Sequence, residues 1–97
     1  MTRDVGFRPQ AEAEVLEVRR WYEGRREGLG NEFGAEVDAM VARIVENPMA
    51  FRRVRGETRR GVLKRFPYAV CFRAPAKEII ILAIHGRQDP SRWQTRS

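Results

Sequence analysis

Long apolar runs are missing from this sequence of 97 residues. No apolar run approaches the roughly 20 residues that a membrane-spanning helix needs, so we expect no contact with a membrane. The N-terminal MTRDVGFRPQ lacks the apolar segment of a signal peptide, and we therefore expect a cytoplasmic protein. The short chain, without repeats or internal linkers, predicts a single domain covering residues 1–97.

Cysteine and histidine occur only once each, as Cys71 and His85. A single cysteine cannot form an intrachain disulfide. Cys71 lies between Val70 and Phe72 in an apolar alternation with no polar base beside it. We therefore interpret it as a reduced residue of a sheet and not as a nucleophile. We expect neither a metal site nor a cofactor.

Acidic residues are scarce in the second half of the chain. Residues 1–48 contain seven basic and ten acidic residues, a net charge of −3, whereas residues 49–97 contain twelve basic and three acidic residues, a net charge of +9. Nearly all the basic residues are arginine, whose guanidinium suits bidentate contacts to phosphates and carboxylates. The C-terminal half is therefore predicted to attract a polyanion, either a nucleic acid or an acidic protein.

Two amphipathic helices are predicted in the N-terminal half. The first begins at Pro9, extends to about Glu27, and ends at the Gly28-Leu29-Gly30 break. The second begins near Asn31, a suitable N-cap, and ends at Asn47-Pro48. Their apolar stripes are formed by Ala11, Val15, Val18 and Tyr22, and by Phe33, Val37, Met40, Val41 and Ile44. The short connection predicts an antiparallel hairpin whose stripes face a sheet.

Four strands complete the predicted fold. They are expected at residues 3–8, 58–66, 68–73 and 78–85, where β-branched and aromatic residues concentrate. The last strand is apolar on both faces, which predicts a central position, and we expect Phe72, Ile81 and Leu82 to be buried under the hairpin or next to it. The order β-α-α-β-β-β predicts an α+β fold in which the hairpin packs on an antiparallel sheet. One face of that sheet is poorly covered by so short a chain, which favours a partner.

Three segments in this order resemble the RelE/ParE superfamily of toxins from bacterial type II toxin–antitoxin systems. They are FRPQAEAEVLEVRRWYEGRREGLGNEFGAEV, ENPMAFRRVRGETRRGVLKRFPYAVCFR and ILAIHGRQDP. The resemblance extends from about Arg3 to about Trp93, although no single motif is diagnostic. It implies a cytoplasmic toxin that a cognate antitoxin protein binds tightly and silences.

The resemblance implies two different activities. RelE-like members cleave messenger RNA in the ribosome, as mRNA interferases, and ParE-like members, including plasmid-stabilisation proteins, inhibit DNA gyrase. If the chain is a RelE-like endoribonuclease, the catalytic candidates are Arg60, Lys64, His85 and Arg87, which match the basic groups of that branch. Arg87 corresponds to the arginine at the end of the last strand.

Two features disagree with the RelE-like pattern. Ala69, in YAVCF, takes the place of a phosphate-binding arginine, and Trp93 takes the place of a tyrosine. An indole cannot perform general acid–base catalysis, although it can stack on a base. The usual pKa of histidine would suit His85 to act as a general base. We favour the interpretation that His85 is a strand-end residue, hydrogen-bonded to the sheet or to Asp89, over a catalytic role.

The ParE-like interpretation agrees better with the end of the last strand. IHGRQD is similar to the LH-x-R-x-D type of ending in that branch, where these residues brace the C-terminal turn. We therefore expect a ParE-like gyrase inhibitor, with the ribosome-dependent nuclease as the alternative.

A third interpretation is an inactive or nucleic-acid-binding module of the same fold. Between Arg52 and Arg65 there are seven basic residues and one acidic residue, which suits contacts to phosphates. In the toxin interpretations the same surface binds the target or the antitoxin. The residues expected to bind either one are Arg59, Arg60, Lys64, Arg65, Arg73, Arg87, Arg92 and Trp93.

Overall fold

The computed structural model describes residues 4–86. They form five strands, two α-helices and one short 3₁₀ helix. In chain order these are β1 (Asp4–Phe7), α1 (Pro9–Arg25), α2 (Leu29–Glu46), the 3₁₀ helix (Pro48–Ala50), β2 (Arg52–Arg55), β3 (Thr58–Val62), β4 (Tyr68–Arg73) and β5 (Glu78–Gly86). Within this part of the chain, no helix is both long and apolar enough to cross a membrane.

The five strands form one mixed sheet in the order β1-β5-β4-β3-β2. The predicted α+β class, with a helical hairpin on a sheet, is confirmed. The sheet was predicted to be antiparallel, and β2, β3, β4 and β5 are paired in this way, but β1 lies parallel to β5. Two antiparallel helices and three strands lie between β1 and β5 in the chain, and β5 runs in the same direction as β1.

One strand, β2, was not predicted. Its residues RRVR are all exposed, so the segment lacks the apolar face by which a strand is recognised in a sequence. β2 pairs with β3 through a tight turn in which Gly56 has a φ of 53°, a conformation that favours glycine. The predicted strand at residues 58–66 accordingly ends at Val62, while the strand at 68–73 has the predicted bounds.

The two helices meet closely at their connection. Both helix boundaries differ slightly from the prediction: α1 ends at Arg25, and α2 begins at Leu29, two residues before Asn31. The carboxylate of Glu23 explains the early start, because it accepts hydrogen bonds from the N–H groups of Gly28 (2.9 Å) and Gly30 (3.0 Å). These donors would otherwise lack partners at the start of a helix.

The core lies between the hairpin and one face of the sheet. Its largest fully buried side chains come from both layers: Phe33, Val37 and Ile44 from α2, Leu63 from the β3–β4 loop, and Val70, Phe72, Ile79 and Ile81 from the sheet. The aromatic rings of Tyr22, Phe33 and Phe66 meet at centroid distances of 4.8–5.7 Å. The predicted helix stripes therefore face the sheet.

A β-bulge in β5 changes which of its side chains face the helices. Phe72 pairs with Ile81 and Cys71 pairs with Ala83, so Leu82 is an extra residue without a partner in the register. Ile81 is fully buried, as predicted, but Leu82 is only partly buried, so the prediction that Leu82 is buried under or next to the hairpin was wrong. The inserted residue changes which side chains of this strand face the helices.

Candidate functional site

The β2–β3 ribbon presents a basic edge, defined here as Arg52, Arg53 and Arg55 of β2 with Arg59 and Arg60 of β3. The register places Arg52 opposite Arg60 and Arg53 opposite Arg59. Like charges in directly opposed cross-strand positions repel each other. An ion pair at the edge joins Arg53 to Glu57 at 3.8 Å, between two exposed side chains. The basic edge is therefore suited to an anionic partner.

Arg59 has a structural role within this surface. Its Nη1 donates a hydrogen bond of 2.7 Å to the carbonyl oxygen of Phe51, and its Nη2 lies 3.2 Å from Sδ of Met49. These contacts fix the segment between α2 and β2. Arg59 is thus less available for a partner than the exposed arginines of β2.

The loop between β3 and β4 is attached to α2 by two carboxylates. Oε2 of Glu36 accepts hydrogen bonds from the N–H groups of Lys64 (2.7 Å) and Arg65 (3.0 Å). The Arg65 guanidinium donates to Glu32, which also accepts from Arg26. The hydrogen bond from Arg65, followed by that from Arg26, holds the pKa of Glu32 below its usual value. Lys64 and Arg65 are therefore held at fixed positions beside α2.

A groove of about 210 Å³ lies between this loop and α2. Its lining consists of Glu36, Ala39, Met40, Arg43, Lys64 and Arg65. The groove thus combines a short apolar floor with a mainly basic rim. Such a surface is suited to an amphipathic helix with acidic side chains, a common mode by which folded domains bind peptides.

His85 and Arg60 lie on the sheet face opposite the hairpin, which we call the back face. His85 pairs with Ala69, and Arg60 pairs with Cys71, so the two basic residues are two strands apart, with about 10 Å between the strand axes. Sγ of Cys71 lies 3.8 Å from Nδ1 of His85. Burial lowers the pKa of His85, which is therefore a weaker base than an exposed histidine.

Cys71 is almost fully buried on the same face. Burial raises the pKa of its thiol, and the positive charge of Arg60 opposes this effect only in part. The thiolate, the reactive form, is thus disfavoured. This agrees with the interpretation of Cys71 as a residue of the sheet and not as a nucleophile.

The nuclease candidates do not converge. Arg60 and His85 share the back face, whereas Lys64 lines the groove beside α2. Arg73, at the end of β4, is exposed. Arg87, Arg92 and Trp93 lie outside the described residues. No group of His, Cys, Asp and Glu within residues 4–86 is arranged to hold a metal ion.

Glu14 was missed by the sequence analysis. It is 5% exposed, and its Oε1 accepts a hydrogen bond of 2.7 Å from the N–H of Ile84, beside the bulge in β5. The sequence spacing does indicate its position, because Glu14 lies three residues after Ala11 and four before Val18, on the buried side of α1. A carboxylate at such a position indicates a buried acceptor.

Two solved structures are similar to this chain. One chain of the chromosomal ParDE TA system from P. aeruginosa has a TM-score of 0.77 and 18% sequence identity, over 88% of this chain and 96% of that one. One chain of the toxin–antitoxin complex RelBE2 from Mycobacterium tuberculosis has a TM-score of 0.63 and 15% identity, over 90% and 100% of the two chains. No family profile and no curated protein matches the sequence. The RelE/ParE-like fold implied by the sequence resemblance is confirmed.

Proposed function

We propose that this protein is the toxin of a bacterial type II toxin–antitoxin system. The observation that carries the proposal is the match of fold with chains of two toxin–antitoxin complexes, over nearly the whole length of each chain. Two features of the molecule support it. The basic edge and the groove beside α2 both suit an acidic partner. The C-terminal half of the chain, which has a net charge of +9, supplies the whole basic edge and two of the three basic residues that line the groove.

We propose that the target is DNA gyrase, as in ParE-like toxins. Ala69 is fully buried in the centre of the back face, between Val62 of β3 and His85 of β5. A methyl group at this position supplies no donor for a phosphate. Losing one such donor typically reduces a rate by about 10²–10³. Lys64 and His85 lie on different surfaces, which is a further argument against a nuclease.

The alternative is a RelE-like ribosome-dependent nuclease. Two observations favour it: the similarity to a chain of the RelBE2 complex, and the presence of Arg60 and His85 on one sheet face. In that mechanism the neutral imidazole would accept a proton from a 2′-hydroxyl while the guanidinium stabilised charge on the phosphate. The lowered pKa of His85 keeps the imidazole neutral at pH 7.

An induction experiment separates the two targets. The protein is expressed from a repressed promoter, messenger integrity is followed by primer extension, and supercoiling by purified gyrase is measured with the purified protein. We expect inhibited supercoiling, filamentous cells and intact messages. Rapid codon-linked cleavage of messages, with gyrase unaffected, would instead identify the nuclease. In that case His85→Gln and Arg60→Ala should abolish the cleavage, and the exposed-site control Arg20→Ala should not.

A further inference from the structure

Two consecutive backbone N–H groups of the β3–β4 loop point at one oxygen atom. The N–H groups of Lys64 and Arg65 both donate to Oε2 of Glu36, at 2.7 Å and 3.0 Å. Successive N–H groups that converge in this way form a concave binding site for an anion. In this molecule the anion is a side chain of α2. The loop thus has the backbone arrangement of an anion site, with a carboxylate of the same chain as its occupant.

The side chains around these donors carry more positive charge than one carboxylate neutralises. Three basic residues, Arg43, Lys64 and Arg65, line the groove beside α2, together with one acidic residue, Glu36. Arg65 is paired with Glu32. Among the ion pairs that join residues 4–86 to one another, none includes Arg43 or Lys64. The groove therefore suits a ligand with more than one negative charge.

The carboxylate of Glu36 can leave the two donors while α2 stays in place. Glu36 is only partly buried, and rotation about its own side-chain bonds moves the carboxylate into solvent. A competing ligand must replace two charge-assisted hydrogen bonds. A carboxylate ligand would repeat the contact that Glu36 already makes, without the advantage of being tethered to the site. A ligand with a single carboxylate is therefore a poor competitor.

A phosphate group meets the requirement. On a monoester at pH 7 it carries a charge of about −1.5 to −2 and has three acceptor oxygens. One oxygen can accept the two N–H groups, and the others can bind the basic side chains of Arg43 and Lys64 in the same groove. The phosphate thus adds contacts that the Glu36 carboxylate does not make.

The size and floor of the groove indicate the rest of the ligand. Its volume of about 210 Å³ is below the roughly 300–1,000 Å³ of pockets for drug-sized molecules, which favours a small ligand. Ala39 and Met40 form an apolar floor, on which the C–H groups of a sugar can pack. A sugar phosphate combines the two features.

We propose that the groove beside α2 binds a small phosphate monoester of the sugar phosphate class. The phosphate displaces the carboxylate of Glu36 from the N–H groups of Lys64 and Arg65. In the ligand-free protein Glu36 holds the β3–β4 loop in the conformation that the ligand recognises. This site goes beyond the proposed function and does not depend on it.

The first test titrates the ¹⁵N-labelled protein with ribose 5-phosphate, inorganic phosphate and ribose at constant ionic strength. Ribose 5-phosphate should shift the amide resonances of Lys64 and Arg65, because these N–H groups change their acceptor. It should bind more tightly than inorganic phosphate, and ribose should not bind. The affinity should rise between about pH 5 and pH 7, because the second proton of a phosphate monoester dissociates near pH 6.

The second test weakens the internal competitor. The neutral amide oxygen of Glu36→Gln is a poorer acceptor than a carboxylate, so ribose 5-phosphate should bind about tenfold more tightly. The matched control Glu78→Gln also removes one negative charge at an exposed position. It lies at the start of β5, whereas the β3–β4 loop lies beside the end of β5, so screening should leave the affinity unchanged within about twofold.

The two lysines of the sequence form a second matched pair. Lys64→Gln removes the ammonium group but keeps the backbone N–H, and the affinity for ribose 5-phosphate should fall about tenfold. Lys77→Gln makes the same change at an exposed position in the turn before β5, and it should have little effect. This pair tests the site even if Glu36→Gln, which loses a contact to the loop, does not fold.

Four results would overturn the proposal. Unchanged amide resonances of Lys64 and Arg65 would mean that no phosphate reaches these donors. Equal losses of affinity in Lys64→Gln and Lys77→Gln would mean that the net positive charge alone attracts it. Acetate that binds as tightly as ribose 5-phosphate would identify a carboxylate site, and tighter binding of a 5′-phosphorylated oligonucleotide would identify a nucleic acid. None of these measurements involves an antitoxin or gyrase, so this inference and the toxin assignment can fail separately.

Discussion

Glu14 connects the hairpin to the sheet through one buried carboxylate. Its Oε1 accepts the N–H of Ile84, and Gln10 Nε2 lies 3.5 Å from its other oxygen. Replacing Glu14 by alanine would leave the N–H of Ile84 buried without this acceptor, which typically costs about 1–3 kcal/mol of folding stability. Glutamine keeps an acceptor oxygen at the same position, so we expect Glu14→Gln to cost less.

Chemical denaturation of the two variants measures this difference. Equal stabilities of Glu14→Ala and the parent protein would contradict the assigned role. Equal losses in Glu14→Ala and Glu14→Gln would mean that the charge, and not the acceptor oxygen, is what the site requires.

His85 predicts a pH dependence of stability. Burial lowers its pKa in the folded protein, whereas the pKa in the unfolded chain is near 6.5. Below about pH 6.5 the unfolded chain therefore binds more protons, and the free energy of unfolding falls as the pH falls. Thermal melts between about pH 7 and pH 5 should show this slope, and His85→Gln should reduce it.

Glu32 provides the control for this pH experiment. Its pKa is lowered from a usual value of 4.5, so the stability that it contributes is lost only as the pH falls below that value. Glu32→Gln should therefore leave the slope above about pH 5 unchanged. An unchanged slope in His85→Gln would contradict the assignment to the histidine.

At the scale of the element, two adjacent apolar residues of β5 differ in their burial. Ile81 is fully buried in the core, and Leu82 is only partly buried because the bulge inserts it without a partner. Ile81→Ala should cost about 2–5 kcal/mol, as truncation of a core side chain does. Leu82→Ala should cost clearly less, and urea denaturation of both variants compares them directly. A larger loss at Leu82 would mean that this residue, and not Ile81, packs in the core.

The elements that were predicted well have a strong apolar pattern. Phe33, Val37 and Ile44 repeat at helical spacing, and Tyr68–Arg73 is rich in the aromatic and β-branched residues that strands prefer. β2 was missed because its stability depends on pairing with β3 and not on an apolar face. The bulge at Leu82 was missed because a run of apolar residues contains no indication of register.

The candidate site was less predictable than the fold. The sequence indicated the basic residues, but it could not show that Lys64 and His85 lie on different surfaces, since this depends on the sheet and the β3–β4 loop. It could not show either that the guanidinium of Arg59 is bonded to the carbonyl of Phe51. Such contacts between distant segments are fixed only by the tertiary structure.

At the scale of the whole molecule, the charge distribution agrees with the proposed acidic partner. The two halves of the chain carry net charges of −3 and +9, and the positive half supplies the basic edge and the basic side chains of the groove beside α2, apart from Arg43. An acidic antitoxin that engages both surfaces would wrap around one side of the protein. A complex held by apolar and main-chain contacts as well as by charges should survive high salt, because screening weakens mainly the exposed ion pairs.

The measurement that tests the central claim most directly is co-expression with the product of the neighbouring gene. We expect induction of this protein alone to arrest growth, and co-expression to restore growth and to yield a complex that persists through a high-salt wash. Normal growth on induction, together with separate purification of the two proteins, would contradict the assignment of this chain as the toxin of a toxin–antitoxin pair.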